Sequence, residues 1–489
     1  MSRSSQLKFA CLTVVACLVL SGCLVGPNYK KPKEDVPPAW VEVPKGVSTD
    51  KPGELTHWWT LFDDPVLDSL VEQAVKANKD LKIAHARIRE ARAQQTVTAA
   101  SLYPKLDAGG SYSRYRGSQH ETPSSLPAGT AENNDILSGG VDLYKPGFDA
   151  SFELDIFGRV RRSVEAATAD VAASQENFND TLITLLSEVA TNYITVRGSQ
   201  LRLDIARKNI EAMRQTLSLT RERFQAGLSS ELDVAQAQTQ LSSTESTVPT
   251  LETTARQSMN QIATLLGMPP AKIVEQLSVA APVPANPPEV PVGLPSELLR
   301  RRPDVRRAER QLAAATARIG VATADLFPSF SLTGSLGQSS MSLADIALGS
   351  STFWSFGPTV KWNIFNAGAT RANIEVQNAR TEQALGTYEK AVLTSLQEVE
   401  SALVAYSREQ ERRKALSEAV QSSLRAHEIS SELYARGLVD FLNVLESQRS
   451  LFLTQDTLAS SDQKVSTDLV SLYKALGGGW IVPAKVAAE

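Results

Sequence analysis

The feature that most constrains this chain is a long stretch of helix-forming sequence without a break. Residues 159–224 contain no proline, and their single glycine is Gly198. At 1.5 Å per residue, a helix through these positions would be about 100 Å long. Apolar residues recur along it at helical spacing, and alanine is frequent, so neighbouring helices can approach closely. Helices of this length cannot form a compact globule, so the sequence predicts coiled-coil pairs that double back at Gly227 and Gly437.

Two copies of one motif pattern organise the chain. The Tyr-Pro dipeptide at 103–104 recurs as Phe-Pro 224 residues later, and the tripeptide at 226–228 recurs 210 residues later. A proline-rich connector separates the copies. The predicted order within each copy is helix, two strands, long helix, turn, long helix. We therefore divide the chain into six parts. They are a leader (1–22), an N-terminal segment (23–62), a first repeat (63–280), a connector (281–295), a second repeat (296–480) and a tail (481–489).

Four segments alternate between apolar and polar residues, as β-strands do when one face is apolar. They lie at about 104–115, 148–157, 327–336 and 356–365. Segments of this length suit a membrane barrel with lipid outside and water inside, although a half-buried strand of a soluble sheet has the same alternation. Four strands in lipid would leave two unpaired edges, so a barrel must pool the strands of two, three or four chains.

The first residues have the pattern of a targeting signal. Basic residues precede a short apolar run at 9–20, which is too short to span a bilayer as a helix. The run ends at Leu-Ser-Gly-Cys, which resembles a bacterial lipobox with Cys23 as the lipidated residue. The alternative is an ordinary secretory signal in which this cysteine is incidental. Cys11 and Cys17 lie inside the leader, so the mature chain would have no disulfide and no thiolate site.

Composition and motifs exclude several classes of function. Removing residues 1–22 deletes two basic and no acidic residues, so the formal net charge changes from −4 to −6, which argues against a nucleic-acid partner. None of the four histidines belongs to a zinc-protease motif or a close ligand pair. We expect no catalytic residue, no metal site and no cofactor. Trp58 and Trp59 could stack on a ligand, but an anchoring role is favoured because no chemical group accompanies them.

Several motifs together resemble the NodT-type lipoprotein branch of the TolC-type outer membrane factors, along nearly the whole mature chain. They are VGPNYKKP at 25–32, WWTLFDDPVLDSLV at 58–71, FELDIFGRVRR at 152–162, LLRRRPDVRRAE at 298–309, WNIFNAG at 362–368 and LYKALGGGW at 472–480. The resemblance implies a mainly α-helical chain with a transmembrane β part. Three chains would share a twelve-stranded barrel in the outer membrane and build a periplasmic α-barrel from long antiparallel helices.

The same resemblance implies a function and partners. The protein would be the exit duct of a tripartite efflux pump. It would be a homotrimer in outer-membrane lipid that meets a periplasmic adaptor and an inner-membrane pump of the resistance-nodulation-division (RND) type. Two alternatives remain: the duct of a type I protein secretion system, and a periplasmic coiled-coil lipoprotein without a pore. The lipobox favours small-molecule efflux, since NodT-type relatives mostly serve RND pumps.

Residues at the two helix reversals match the family's adaptor-contacting tips. They are Gly227, Leu228, Gly437 and Leu438. The simpler interpretation is a turn glycine that only permits the chain to reverse, and the two roles are compatible.

A candidate gate follows the second reversal. Leu442, Glu446 and Arg449 fall at spacings of four and three, on one face of a helix. They match the family's YxxGxxxxLxxLDxQR pattern, here at 434–449, in which leucine and acid rings narrow the periplasmic entrance. This sequence departs from the pattern by having glutamate where relatives often have aspartate. The alternatives are an exposed ion pair without a gating role and a constriction at Asp233 of the first hairpin.

Three acidic residues define a predicted channel surface. Asp149, Glu153 and Asp155 share one face of an alternating segment whose other face is apolar. In a barrel they would point into the channel and, repeated in each chain, would favour cations. Lys361 on another strand would offset part of this field.

Overall fold

Two compact units make up the chain. The computed structural model describes residues 24–33, 36–41, 47–48, 55–116, 140–284 and 290–480. The leader, the predicted lipidation residue Cys23 and the tail lie outside the described residues. The first, which we call the sheet unit, comprises Met1–Lys31, Arg89–Ala172 and Arg310–Gly386. The second, which we call the helix unit, comprises Pro32–Ile88, Ala173–Glu309 and Thr387–Glu489.

Most of the described residues are helical, and several helices begin where the sequence supplies a start signal. Asp64, for example, accepts hydrogen bonds from Val66 N and Leu67 N at 2.9 and 3.2 Å. Within the described ranges, no helix is both long and apolar enough to cross a membrane. We number the helices α1 to α10, at Pro65–Ala77, Lys79–Ala100, Arg159–Gln225, Glu231–Glu245, Thr247–Leu265, Pro270–Leu277, Pro295–Arg301, Pro303–Ala324, Ala369–Ala435 and Phe441–Ala475.

The two longest helices, α3 and α9, have 67 residues each. The end of α3 lies one residue beyond the predicted stretch. In the second hairpin, the returning helix α10 runs unbroken for 35 residues. In the first hairpin, however, the returning helix is interrupted at Ser246 and becomes α4 and α5. The helical path nevertheless continues through this position, because Ser246 keeps helical backbone angles of −65° and −18° and donates its N–H to the Ser242 carbonyl. Pro249 is the cause of the interruption, because its ring removes a backbone N–H and clashes with the carbonyl four residues earlier.

Four antiparallel strands form the sheet of the sheet unit, in chain order. We number them β1 to β4, at Lys105–Tyr115, Val141–Leu154, Ser329–Gln338 and Thr352–Lys361. All four predicted strands are present, and two of them, β2 and β4, differ from the prediction by more than two residues at an end. A separate two-residue parallel pair joins Val47–Ser48 to Val290–Pro291 in the helix unit. β2 begins seven residues earlier than predicted and ends three residues earlier, and β4 lies four residues earlier at both ends. The apolar alternation continues past the end of β4. Alternation of side chains therefore does not show where the hydrogen bonding between strands stops.

The hydrophobic core of the helix unit gathers around Trp58. Its side chain is 1% exposed and stacks on Tyr473, with ring centroids 5.3 Å apart and planes at 21°. The backbone of Gly478 lies so close that an added Cβ would be 3.1 Å from the indole. Trp59, in contrast, is only half-buried and packs at the margin of the core. These contacts support the anchoring interpretation for Trp58.

A buried arginine fixes the start of α8 in the same unit. Arg302 forms ion pairs with Asp304 and Glu398, each at 2.6 Å, and donates a hydrogen bond to the Ala475 carbonyl at 3.1 Å. Burial raises the pKa of Asp304, but the hydrogen bonds and charge of Arg302 outweigh burial and hold that pKa below its usual value. The arginine therefore ties the first turn of α8 to the two helices of the second hairpin.

Replacing Trp58 with alanine should destabilise the helix unit strongly. We expect a loss of about 3–5 kcal/mol in the free energy of unfolding, because the substitution removes a fully buried indole and leaves a cavity against Tyr473. Trp59→Ala is the matched control and should cost clearly less, since this side chain is only partly buried at the margin of the core. Thermal unfolding followed by circular dichroism would rank the two variants. Equal losses would mean that Trp58 does not organise the core.

Candidate functional site

One face of the sheet is apolar and exposed in the chain. The side chains of Trp354 and Phe356 are 76% and 73% exposed, although both are large and apolar. The strand register places them in line with apolar residues of the other strands. A sheet in water would bury such a face, whereas the outer surface of a membrane barrel displays one. The other exposed apolar residues of this face are Leu106, Phe148, Leu336 and Val360.

The opposite face of the sheet is polar and carries both signs of charge. Asp149 lies on it, directly opposite Asp107 on β1 and Ser335 on β3. Glu153 lies on the same face, since it is four residues further along β2. The acids of this face are thus Asp107, Asp149 and Glu153. The face also carries the same number of lysines, which are Lys105, Lys145 and Lys361. Only Lys361 was included in the sequence-based prediction, so the predicted acidic surface is nearly neutral along the four strands.

Asp155 is not part of the polar face, because β2 ends at Leu154. Its carboxylate accepts hydrogen bonds from the backbone N–H groups of Val160 and Arg161, at 3.0 and 2.9 Å. These are N–H groups of the first turn of α3, which have no partner inside the helix. The side chain is only 12% exposed and also pairs with the Arg161 guanidinium at 3.2 Å. The assignment of Asp155 to the channel surface is therefore wrong, since this residue caps a helix.

Glu153 keeps its place on the sheet face but is not a free charge. Its two oxygens accept hydrogen bonds from Nε and Nη2 of Arg159, at 3.0 and 2.5 Å. This two-point contact joins the end of β2 to the first residue of α3. Asp149 is the other predicted channel acid on β2. Among the described residues, the structure records no ion pair for it.

The two helix reversals have the same geometry. Gly227 and Gly437 have φ angles of +72° and +74°, which glycine adopts without the strain that a side chain would cause. The following leucines donate their N–H groups five residues back, from Leu228 to the Arg223 carbonyl at 2.8 Å and from Leu438 to the Leu433 carbonyl at 2.9 Å. Both reversals are therefore Schellman motifs. The leucine side chains are left 69% and 66% exposed.

The first reversal continues into a capping box. Ser230 accepts a hydrogen bond from Asp233 N at 3.2 Å, and the Asp233 carboxylate accepts one from Ser230 N at 2.9 Å. At the second reversal, Asp440 precedes α10 without a side-chain capping bond. The carboxylate of Asp233, considered above as an alternative constriction, thus has a structural task at the start of α4.

A contact that was not predicted from the sequence joins the two hairpins in the helix unit. Arg223, near the end of α3, lies 4.4 Å over the ring of Tyr434 and donates a hydrogen bond to its carbonyl at 3.1 Å. Tyr434 in turn packs against Phe441, with ring centroids 5.6 Å apart. The cation–π contact and the hydrogen bond thus join the two tips, in addition to an apolar cluster that contains residues of both hairpins. No spacing rule could have paired these residues, which belong to different copies of the repeat.

The predicted gate residues form one exposed row at the start of α10. Leu442 is 58% exposed, and Glu446 and Arg449 are exposed as well. The opposite side of the same turns is buried by Val444 and Gln448. Within the described chain, the structure records no ion pair between Glu446 and Arg449, so the simple pair considered as an alternative is not formed. The row has the character of a surface that meets something outside the chain.

The described residues contain no group of three or more His, Cys, Asp or Glu side chains that could hold a metal ion.

Comparison with known proteins then decides the family. The model of the family described as "Outer membrane efflux protein" matches residues 70–268 and 294–478. The chain belongs to this family. The two matched ranges correspond to the two copies of the internal repeat.

Similar proteins and structures agree along nearly the full length. Nodulation protein T of Rhizobium leguminosarum bv. trifolii is 34% identical over 470 residues, which are 96% of this chain and 97% of that protein. The toluene efflux pump outer membrane protein TtgC of Pseudomonas putida is 33% identical over 471 residues, 95% of this chain and 94% of that protein. The structure of the outer-membrane channel OprN is 36% identical, with a TM-score of 0.85, and covers 94% of this chain and 100% of that one.

These comparisons confirm the predicted recognition, fold class and location. The protein is an outer-membrane efflux component of the NodT type with the TolC-type fold. A structure of CusC, at 30% identity and a TM-score of 0.80, has the same fold and covers 94% of this chain and 100% of that one. TtgC is named as an efflux pump component and OprN as an outer-membrane channel.

Proposed function

We propose that three copies of this protein form the exit duct of a tripartite efflux pump, a passive path for small molecules from a periplasmic adaptor and an inner-membrane RND-type pump to the exterior. The observation that carries the proposal is the sheet, which has one exposed apolar face, one polar face and two edge strands. Such a sheet is stable in lipid only if its edges are paired by other chains. The family resemblance supports three chains and twelve strands.

The names of relatives support a duct whose cargo is chosen elsewhere. TtgC of Pseudomonas putida is named for toluene efflux and CusC of Escherichia coli for cation efflux, yet this chain is 33% and 32% identical to them. Similar ducts thus serve an apolar solvent and a metal ion. We infer that this protein supplies an unselective exit and that its pump selects the substrate. The same names favour efflux over type I protein secretion.

We propose that the polar face of the sheet lines the channel. Three acids and three lysines per chain would give a wide, weakly selective exit, which suits cargo of either charge. The row formed by Asp107 and Asp149 would be its most acidic level.

Purified protein in planar bilayers should form channels with weak ion selectivity, measured as the reversal potential in a salt gradient. Asp149→Asn should shift the preference towards anions, because it removes one unpaired acid per chain from the channel wall. Asp155→Asn is the matched control and should leave the reversal potential unchanged, since its carboxylate caps α3. Equal shifts in both variants would contradict this assignment, and the absence of channels would favour a periplasmic spacer.

We propose that the exposed leucines of the two reversals contact the adaptor. The tip backbone is fixed by two Schellman motifs, so Leu228 and Leu438 are held outward without depending on any partner in the chain. Two equivalent apolar points per chain would give an adaptor a repeated surface to bind. A tip that served only to reverse the chain would not require an exposed leucine at each glycine.

Replacing Leu228 and Leu438 together by glutamate should abolish drug export, because charged groups cannot be buried in an apolar contact without a large desolvation cost. The minimum inhibitory concentrations of exported drugs should fall to those of a deletion strain, while SDS-resistant trimers remain in the outer membrane. Leu343→Glu provides the matched control, since that leucine is equally exposed but lies in the β3–β4 hairpin. Export at the wild-type level in the tip variant would exclude docking at this site.

We propose that the row of Leu442, Glu446 and Arg449 closes the periplasmic entrance. All three side chains are exposed in the chain, and the glutamate and arginine are free to pair with a neighbouring helix instead of each other. In a closed ring, three copies of Leu442 would exclude water. Adaptor and pump would then have to break these contacts before the entrance widens. The presence of glutamate in place of the family's aspartate would narrow the acid ring by one methylene per chain.

The variant that combines Leu442→Ser, Glu446→Ala and Arg449→Ala should raise single-channel conductance, because it removes both the apolar ring and its ionic ties. It should also let vancomycin enter intact cells. Leu453→Ser is a control on the same face of α10, three turns further on and 63% exposed; it should change neither measurement. Unchanged conductance in a correctly trimeric triple variant would mean that the constriction lies elsewhere.

A further inference from the structure

A fully buried arginine lies under the N-terminal segment of the chain. The Arg162 side chain is 1% exposed, and its guanidinium donates to the carbonyls of Val25 and Gly26 at 3.2 and 3.3 Å and to Asn28 Oδ1 at 2.7 Å. A fourth hydrogen bond, to Glu165 at 2.7 Å, orients the guanidinium from its own helix. The three N-terminal acceptors come from residues that are themselves at the surface. The segment therefore covers a charge that would otherwise face solvent.

Glycines bring the segment close to the body of the sheet unit. Gly26 has a φ of +85°, and a Cβ built there would lie 2.4 Å from the Cα of Gly320 on α8. A Cβ on Gly158 would lie 2.7 Å from Leu24 Cδ1. The Gly26 contact is with backbone, and both glycines have a positive φ that disfavours a side chain, so the segment fits a groove that is complementary in shape as well as in hydrogen bonding. The Arg162 stem packs against Gly320 within the same groove.

The groove lies at the corner between β2 and α3. Val25 N donates to the carbonyl of Phe157, which follows β2, at 3.3 Å, and Leu24 packs on Gly158 immediately before α3 begins. In the sequence, Leu24 directly follows the predicted lipidation residue Cys23. An unattached flexible segment would instead have an end-to-end distance of about 5–6 Å multiplied by the square root of its length in residues. The corner therefore defines where any group on the N-terminus leaves the fold.

We propose that Arg162 is a positioning residue for the lipid anchor, and that its groove holds the acylated N-terminus at the end of the membrane sheet. This inference rests on the proposed lipidation of Cys23 and on the proposed membrane role of the sheet. The acyl chains would then enter the bilayer beside β2 rather than at the end of a loose tether. Anchor and sheet would act on the same patch of membrane, so insertion of one would support insertion of the other.

Limited trypsin digestion tests the clamp directly, because Lys30 and Lys31 follow the clamped residues and cleavage after Lys30 separates the anchor from the body. Arg162→Gln should raise the rate of this cleavage about tenfold, since several hydrogen bonds to a charged donor are lost. Asn28→Ala changes only a surface residue and should raise the rate by a smaller factor in a normally folded protein. Arg92→Gln is the matched control, since this arginine of α2 is exposed and belongs to the same unit, and it should have no effect. Unchanged cleavage in both test variants would overturn the clamp.

A second experiment separates an anchoring role from simple packing. With lipidated Cys23, Arg162→Gln should reduce the yield of SDS-resistant trimers in the outer membrane several-fold. In a Cys23→Ser background, the same substitution should cause less than a twofold further loss, because no anchor remains to be positioned. Equal losses in both backgrounds would overturn the anchoring role. Palmitate labelling of the Cys23→Ser protein would refute lipidation at this residue, an outcome that is distinct from the trypsin result.

Discussion

Backbone N–H and C=O groups at the edge of a sheet need hydrogen-bond partners, and in hydrocarbon each unmet group costs several kcal/mol. In this protein β1 and β4 form the two edges of the sheet. The internal duplication explains how the sheet arises, because each copy contributes one antiparallel hairpin and the β2–β3 ladder joins them. The exposed apolar face makes water an equally poor surrounding. A single chain is therefore incomplete in both solvents, and the rest of the architecture serves an assembly that completes it.

The corners where strands become helices set the geometry of this architecture. At the first corner Asp155 caps α3, and Gly158 has a φ of +80°. At the second corner the left-handed backbone spans two residues, Ala367 and Gly368, with φ angles of 52° and 86°. Each corner turns the chain in very few residues, so the direction of a 67-residue helix is fixed by a handful of backbone angles and one carboxylate.

Local patterns in the sequence predicted most of the elements but not their exact ends. The lack of proline gave the extent of α3 to within one residue, and the two glycines located the reversals. Alternation found the strands but misplaced Asp155, because a side chain can continue the period of a strand whose ladder has already ended. Pro249 was visible in the sequence, yet its effect on the first hairpin depends on its position within a turn. Arg162 and Arg223 could not have been found this way, since their partners are more than 130 residues distant.

The interruption at Ser246 makes the two helix hairpins mechanically different. A hairpin with an unbroken returning helix, α10, bends only by distributing strain along its whole length. The first hairpin has a joint between α4 and α5, where one backbone hydrogen bond is missing and a small rotation meets less resistance. In a ring of three chains, the jointed first hairpins and the stiffer second hairpins would alternate around the circumference. Such a ring would have threefold rather than sixfold symmetry in stiffness, and the proposed gate row would lie on its stiffer hairpins.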